Sequence, residues 1–247
     1  NVWVGGSTEL FLLDRKEKKF NSFPISTVGK DIRINRYVND FLEDSKGRFW
    51  ISTSFGIKLF DRTTNKFRNY AFEEKQGIRA SGNATQGLFE DRQGIIWAGT
   101  WNAGALKYDE ATDRFVIHRV ISHPYDAAQT IHDIGSVILN NQYYLLLASE
   151  AGLLLSDPAK IVNGQLYAKN LIEEKSETVI PYSTEKWMVI KDRQDIYWVA
   201  GSDGVLKIDQ HGQFFQTHSL PNNKSSELEI FHIGRVVHDL EKFFLTT

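Results

Sequence analysis

The sequence predicts an all-β fold, a β-propeller of four-stranded antiparallel blades. Three observations predict it: a repeat of about 48 residues, turn signals that cut each repeat into four short strands, and no helical period sustained over about eleven residues. The 247 residues hold about five copies, expected at 1–34, 35–81, 82–130, 131–180 and 181–228, with the start of a sixth at 229–247.

The second and third copies show the repeat best. Phe41-Leu-Glu-Asp-Ser-Lys-Gly-Arg-Phe-Trp50 recurs as Phe89-Glu-Asp-Arg-Gln-Gly-Ile-Ile-Trp97. Trp3, Trp50 and Trp97 stand 47 residues apart, and Trp198 sits in the same context, before Gly204 and Asp209. The fourth copy is degenerate: Ala151-Gly-Leu-Leu-Leu-Ser-Asp157 matches Ala103-Gly-Ala-Leu-Lys-Tyr-Asp109, but Leu145 stands in the Trp slot. Near the C-terminus Phe244 takes that slot.

Within the second copy the elements follow in order. Strand A is expected at Val38–Glu43, B at Arg48–Thr53, C at Ile57–Asp61 and D at Lys66–Ala71. Between A and B, Asp-x-x-Gly supplies a turn: Asp44 caps the turn backbone and Gly47 accepts a positive φ. Asp91 and Gly94 repeat it, and Asp195 replaces the glycine in the fifth copy. Gly56, Gly104, Gly152 and Gly204 mark the B–C turn. A four-stranded sheet buries both faces only by stacking on its neighbours, so the strand-B Trp is expected between blades. Five copies fit a five-bladed ring closed by the C-terminal strand, or an arc of a larger, seven-bladed ring; the arc is the expectation.

Composition excludes several function classes. A net charge of −2 gives no basic face for nucleic acid. With no cysteine there are no disulfides, thiolate metal sites or cysteine nucleophiles. The longest apolar run, Tyr143–Ala148, is too short to span a bilayer. Neither a Gly-x-Ser-x-Gly elbow, a phosphate loop nor His-Glu-x-x-His is present. Asn1 opens inside a repeat, so the chain reads as an excerpt of a longer protein.

The run Glu-Asp-x-x-Gly-x-hydrophobic-Trp, followed by Gly-Thr or Ser-Thr and a Gly before strand C, resembles the two-component regulator propeller repeat. Phe41 to Leu59 and Phe89 to Leu106 carry the resemblance most closely. It implies the periplasmic sensor region of a hybrid two-component system of Bacteroidetes type, attached to the inner membrane. In such receptors two seven-bladed propellers precede an immunoglobulin-like domain, a membrane helix, a kinase and a DNA-binding domain. It further implies an oligosaccharide ligand, an adjoining propeller, and signalling through propeller or dimer rearrangement, with no cofactor and no catalytic residue.

Candidate ligand contacts follow from propeller topology, in which the B–C and D–A connections emerge at one end of the blades. The third copy's B–C loop is one residue longer and carries Trp101-Asn102. An indole face stacks on sugar C–H groups, and the amide offers a donor and an acceptor to hydroxyls. Glu150 and Asp203 occupy the matching loops; Arg36, Asn83, His132 and Trp187 enter strand A, beside Tyr37, Thr85 and Lys186. No metal site is expected, because His118, His123 and His132 lack ligand spacing. The rival readings are a propeller lyase or hydrolase and a protein-interaction scaffold, since fold does not imply function.

Overall fold

The computed structural model describes residues 2–25, 37–70, 84–122, 129–171, 185–202, 204–209 and 215–218. The first repeat forms a three-stranded antiparallel sheet, β1 (Val2–Gly5), β2 (Glu9–Asp14) and β3 (Lys19–Pro24). The second forms a four-stranded sheet in sequence order, β4 (Val38–Glu43), β5 (Phe49–Thr53), β6 (Gly56–Asp61) and β7 (Lys66–Tyr70). These strands lie within a residue or so of the sequence expectation; Ala71 falls outside the described residues.

The third repeat gives β8 (Thr85–Glu90), β9 (Ile96–Thr100), β10 (Ala105–Asp109) and β11 (Arg114–Ser122). The fourth gives β12 (Ile131–Leu139), β13 (Gln142–Ser149), β14 (Gly152–Val162) and β15 (Gln165–Asn170). The fifth gives β16 (Lys186–Lys191), β17 (Ile196–Gly201), β18 (Gly204–Asp209) and β19 (Phe215–His218). Whether a further strand forms at 229–247, and so how the ring closes, lies outside the described residues.

Stacking of sheets supplies the core. Trp50 is fully buried and packs against Tyr108 and Phe115 of the next blade, with ring centroids 5.1 and 5.7 Å away. Trp97 sits in the next interlayer cluster, with Ile134, Leu145 and Leu154 of the fourth blade. The strand-B Trp is therefore an inter-blade residue. The third interlayer, between blades four and five, is mostly aliphatic: Tyr197 is buried among Leu146, Leu155, Val199 and Leu206, and the partly buried Tyr144 packs against them.

The Asp of the A–B turn does more than cap. In the second blade one Asp44 oxygen accepts from the amides of Lys46 (3.1 Å) and Arg48 (2.8 Å). The other accepts from the buried Trp50 indole N–H at 2.8 Å. Asp91 holds Trp97 at 2.9 Å and Asp192 holds Trp198 at 2.9 Å in the same way. A buried indole N–H needs an acceptor, and the turn carboxylate supplies it while fixing the hairpin. The fourth repeat loses Asp and Trp together. Its A–B connection is a two-residue turn with both Asn140 and Asn141 at positive φ (49° and 61°), the geometry of a type I′ hairpin.

Inner strands of adjacent blades are also pinned. Asp40 accepts from the Leu88 amide of the next blade at 2.8 Å, and Asp133 from Val189 at 2.9 Å. Both carboxylates also accept from the amide that follows them in their own strand. At the outer rim, β11 outlasts its partner β10, and its last residues, Arg119–Ser122, pair in parallel with Gln165–Ala168 of β15. That pairing satisfies backbone groups that the overhang would leave open, and it joins blades three and four into one eight-stranded sheet.

Candidate functional site

The B–C loops are built by one local device. A Thr or Ser at the end of strand B accepts from a loop amide and donates to the carbonyl of the glycine that closes the loop. Thr53 serves Phe55 (3.1 Å) and Gly56 (2.8 Å), Thr100 serves Ala103 (3.0 Å) and Gly104 (2.7 Å), and Ser149 serves Ala151 (3.2 Å) and Gly152 (2.9 Å). Gly104 has φ +86° and a Cβ there would run into the His118 carbonyl, so only glycine fits. In each of four blades the loop then hydrogen-bonds to the chain entering strand A: Ser54 to Tyr37, Trp101 to Ala84, Glu150 to Thr130 and Ser202 to Glu185. The two sets of loops therefore lie together at one end of the blades.

Strand A adds a second device. Its pairing with strand B shifts register once in every described copy: at Asn39, across Gln86-Gly87, at His132 and at Trp187. A bulge leaves the extra residue outside the ladder and re-aims its side chain. The four bulges occupy one level, next to the B–C loops. The sequence reading reached His132 and Trp187 but missed Asn39 and Gln86. A bulge does not interrupt the strand's composition, so only the shift of the turn Asp relative to the loop could have shown it.

Around these bulges the third, fourth and fifth blades bring together most of the described candidates. Trp101 is 47% exposed, the largest fraction among the six tryptophans, and its ring meets His132 edge-on at 6.0 Å between centroids. Trp187 is half-buried, and its indole donates to Glu185 at 3.2 Å. His132 Nε2 is buried and has no hydrogen-bond partner among the described residues. Burial pushes the His132 pKa down, against the attraction of Glu150 and Glu185, so the ring is neutral at pH 7. Asn102 is exposed with φ +76°, a conformation asparagine tolerates, so it is a turn former as well as an amide at the rim. Tyr37 (50% exposed) and Phe55 (38% exposed) extend the aromatic surface over the second blade.

Two residues read as rim groups are not. Thr85 is buried: its hydroxyl accepts from the Thr53 amide at 3.1 Å and lies 3.0 and 3.1 Å from the Thr53 and Gly56 carbonyls, pinning the second blade to the third. Lys186 is 1% exposed and cannot present its ammonium to solvent. Arg36, Asn83, Asp203 and His123 lie outside the described residues. Among the described residues no group of three His, Asp or Glu is arranged to hold a metal ion, and no helix is long and apolar enough to cross a membrane.

Stacked antiparallel sheets, pinned inner strands and the inter-blade Trp3, Trp50 and Trp97 define a β-propeller region. The model of the two-component regulator propeller family matches residues 33–55 and 80–102, around the A–B hairpins of the second and third copies. No curated protein sequence matches the chain. Among solved structures, an extracellular domain from B. thetaiotaomicron, described as that of the hybrid two-component system BT4673, is similar with a TM-score of 0.64 at 19% identity, over 89% of this chain and 29% of its own. PorZ of Porphyromonas gingivalis, a surface component of the type-IX secretion system, has a TM-score of 0.59 at 15% identity, over 90% of this chain and 33% of its own. Virginiamycin B lyase of Staphylococcus aureus has a TM-score of 0.59 at 11% identity, over 87% of this chain and 64% of its own. At these identities the likeness is one of fold. The chain spans under a third of the B. thetaiotaomicron domain.

Proposed function

We propose that this chain is a ligand-binding part of the extracytoplasmic region of a two-component signalling receptor, and that it recognises an oligosaccharide at the end of the blades where Trp101 and His132 meet. One observation carries the reading: an exposed indole stands edge-on to a half-buried imidazole whose Nε2 lacks a partner, beside two glutamates, in a chain with two-component regulator repeats. The indole supplies an apolar face for sugar C–H groups. His132, Glu150, Glu185 and the Asn102 amide supply acceptors and donors for hydroxyls.

The site spans three blades, and each contributes part of it. A ligand held by all three favours the arrangement that brings these parts into register. Only its differential affinity for two arrangements of the propeller, or of a receptor dimer, can drive a signal. The attached propeller, membrane and kinase parts belong to the same proposal, as does the periplasmic location.

The test is a thermal-shift screen of the receptor's extracytoplasmic region against an oligosaccharide panel. A ligand at a hundred times its Kd stabilises the folded state by about 2.7 kcal/mol. A shift for one glycan family that Trp101→Ala abolishes supports the reading. No shift from any glycan, together with stable self-association, sinks it in favour of a scaffold. The likeness to the S. aureus lyase motivates one rival, an enzyme; unsaturated or newly reducing products from a polysaccharide would establish that instead.

A further inference from the structure

Resting on that reading, we infer that Asp133 is a positioning residue of the site: it ties blades three, four and five together and sets His132 against Trp101. The bulge of β12 seats in a notch made by two glycines of the third blade. A Cβ on Gly99 would lie 2.2 Å from the Ile131 carbonyl oxygen, and one on Gly87 would lie 2.3 Å from Asp133 Oδ1. Neither place has room for a side chain, so His132, the residue between, is carried by a segment held on both sides. From the same seat Asp133 accepts from the Ile134 amide at 2.8 Å through Oδ1, and from the Val189 amide of the fifth blade at 2.9 Å through Oδ2. The residue is buried.

Its place beside the bulges gives it this role. In β4, β8, β12 and β16 the residue that ends the bulge is Asp40, Gly87, Asp133 and Met188 in turn. The third blade has glycine where the second and fourth have a carboxylate, and that glycine admits the carboxylate of the fourth. Three bulges then meet around one group: Gln86 precedes Gly87, His132 precedes Asp133, and Trp187 stands two residues before Val189. Of these, His132 meets the Trp101 ring edge-on at 6.0 Å, and Trp187 donates to Glu185. A buried side chain that bonds two strands and is wedged against a third locks the groups beside it into one geometry. Asp40 makes the same two bonds, from Phe41 and Leu88, each at 2.8 Å. Its bulged neighbour Asn39 instead donates to the Thr85 carbonyl, away from Trp101 and His132, so Asp40 serves as an internal control.

Asp133→Asn and Asp40→Asn, made in the receptor's extracytoplasmic region labelled with 5-fluorotryptophan, test this. Each replaces one acceptor oxygen of an equivalent pin, so the two should lower the unfolding midpoint alike. The Trp101 fluorine resonance, assigned by its absence in Trp101→Phe, should move in Asp133→Asn and stay in Asp40→Asn. Xylohexaose, mannohexaose and cellohexaose are the binding probes. Asp133→Asn should weaken whichever binds by about three- to thirtyfold, the range for a change that touches no ligand, and Asp40→Asn should leave it unchanged. A Trp101 resonance that stays in place in Asp133→Asn, or moves equally in both variants, overturns the positioning role even where a hexaose binds. If no hexaose binds while the resonance moves in Asp133→Asn alone, the positioning role stands and the result counts against the oligosaccharide reading instead.

Discussion

Replacing Asp44 by alanine tests the turn-to-core lock that gives each regular repeat its shape. The carboxylate is 4% exposed as a residue and accepts from the Trp50 indole at 2.8 Å, two turn amides, and Arg48 Nε at 2.6 Å. Trp50 is fully buried and water cannot replace the lost acceptor. An unsatisfied buried donor costs about 1–3 kcal/mol. The turn amides are nearer solvent and add about 1 kcal/mol between them. Arg48 already lies 3.6 Å from Glu110 and can turn to it, so its loss adds little. The sum is about 3 kcal/mol, or roughly 6–12 °C in Tm for a domain of this size. Asp61→Ala is the control: that carboxylate holds Thr63 and Thr64 in an exposed turn with no buried donor at stake, so a clearly smaller loss than that of Asp44→Ala is expected. Urea unfolding followed by tryptophan emission gives both midpoints. Trp50→Phe in the Asp44→Ala background should cost at least 1 kcal/mol less than it does alone, because the indole donor is already orphaned. If Asp44→Ala proves no worse than Asp61→Ala, the lock is not what holds the blade.

Acid should unfold the protein in part through these turns. Burial opposes the charge on Asp44 and Asp192, but the indole, amide and cation contacts outweigh it and hold both below the usual carboxylate range. Their stabilisation is therefore complete above about pH 4 and is lost as pH falls through the depressed folded values, so Asp44→Asn should flatten the acid limb of a stability–pH curve. Asp133→Ala leaves the Val189 amide unpaired, and about 2 kcal/mol is expected, with faster hydrogen exchange at Val189 and little change at Leu88. Gly104→Ala forces a Cβ against the His118 carbonyl at φ +86°, so a loss above about 2 kcal/mol should appear in the same urea series. Trp101→Ala should cost less stability than Asp44→Ala while abolishing glycan binding, since nearly half of the residue is in solvent.

What the sequence revealed follows the range of the interactions involved. Turn glycines, the Asp-x-x-Gly signal and the Trp period are local, and the strands of the second repeat fell where they indicated. That Asp44 also receives the Trp50 indole was not readable, because it depends on where the second carboxylate oxygen points. The Asn140-Asn141 hairpin was missed because the repeat template demanded an Asp-x-x-Gly turn there. The β11–β15 pair joins residues more than forty positions apart in different repeats, and no local pattern encodes it.

For the site, topology placed His132, Glu150, Trp101 and Trp187 at one end of the blades. Thr85 and Lys186 were placed there too, but packing between blades buries both. Sequence position alone does not tell which face of a bulged strand a side chain takes. Glu185, which receives the Trp187 indole and acts on His132, went unnoticed because it precedes the strand that the template marked.

The most direct test of the mouth as a ligand site is acrylamide quenching of tryptophan emission, with and without a bound oligosaccharide, in the receptor and its Trp101→Phe variant. Trp50 and Trp97 are fully buried and Trp3, Trp187 and Trp198 are partly covered, so Trp101 should give this chain's largest quenchable component. A glycan that stacks on Trp101 will protect that component in the receptor and leave the variant's quenching unchanged. Binding that leaves Trp101 as quenchable as before would place the ligand elsewhere and contradict the account.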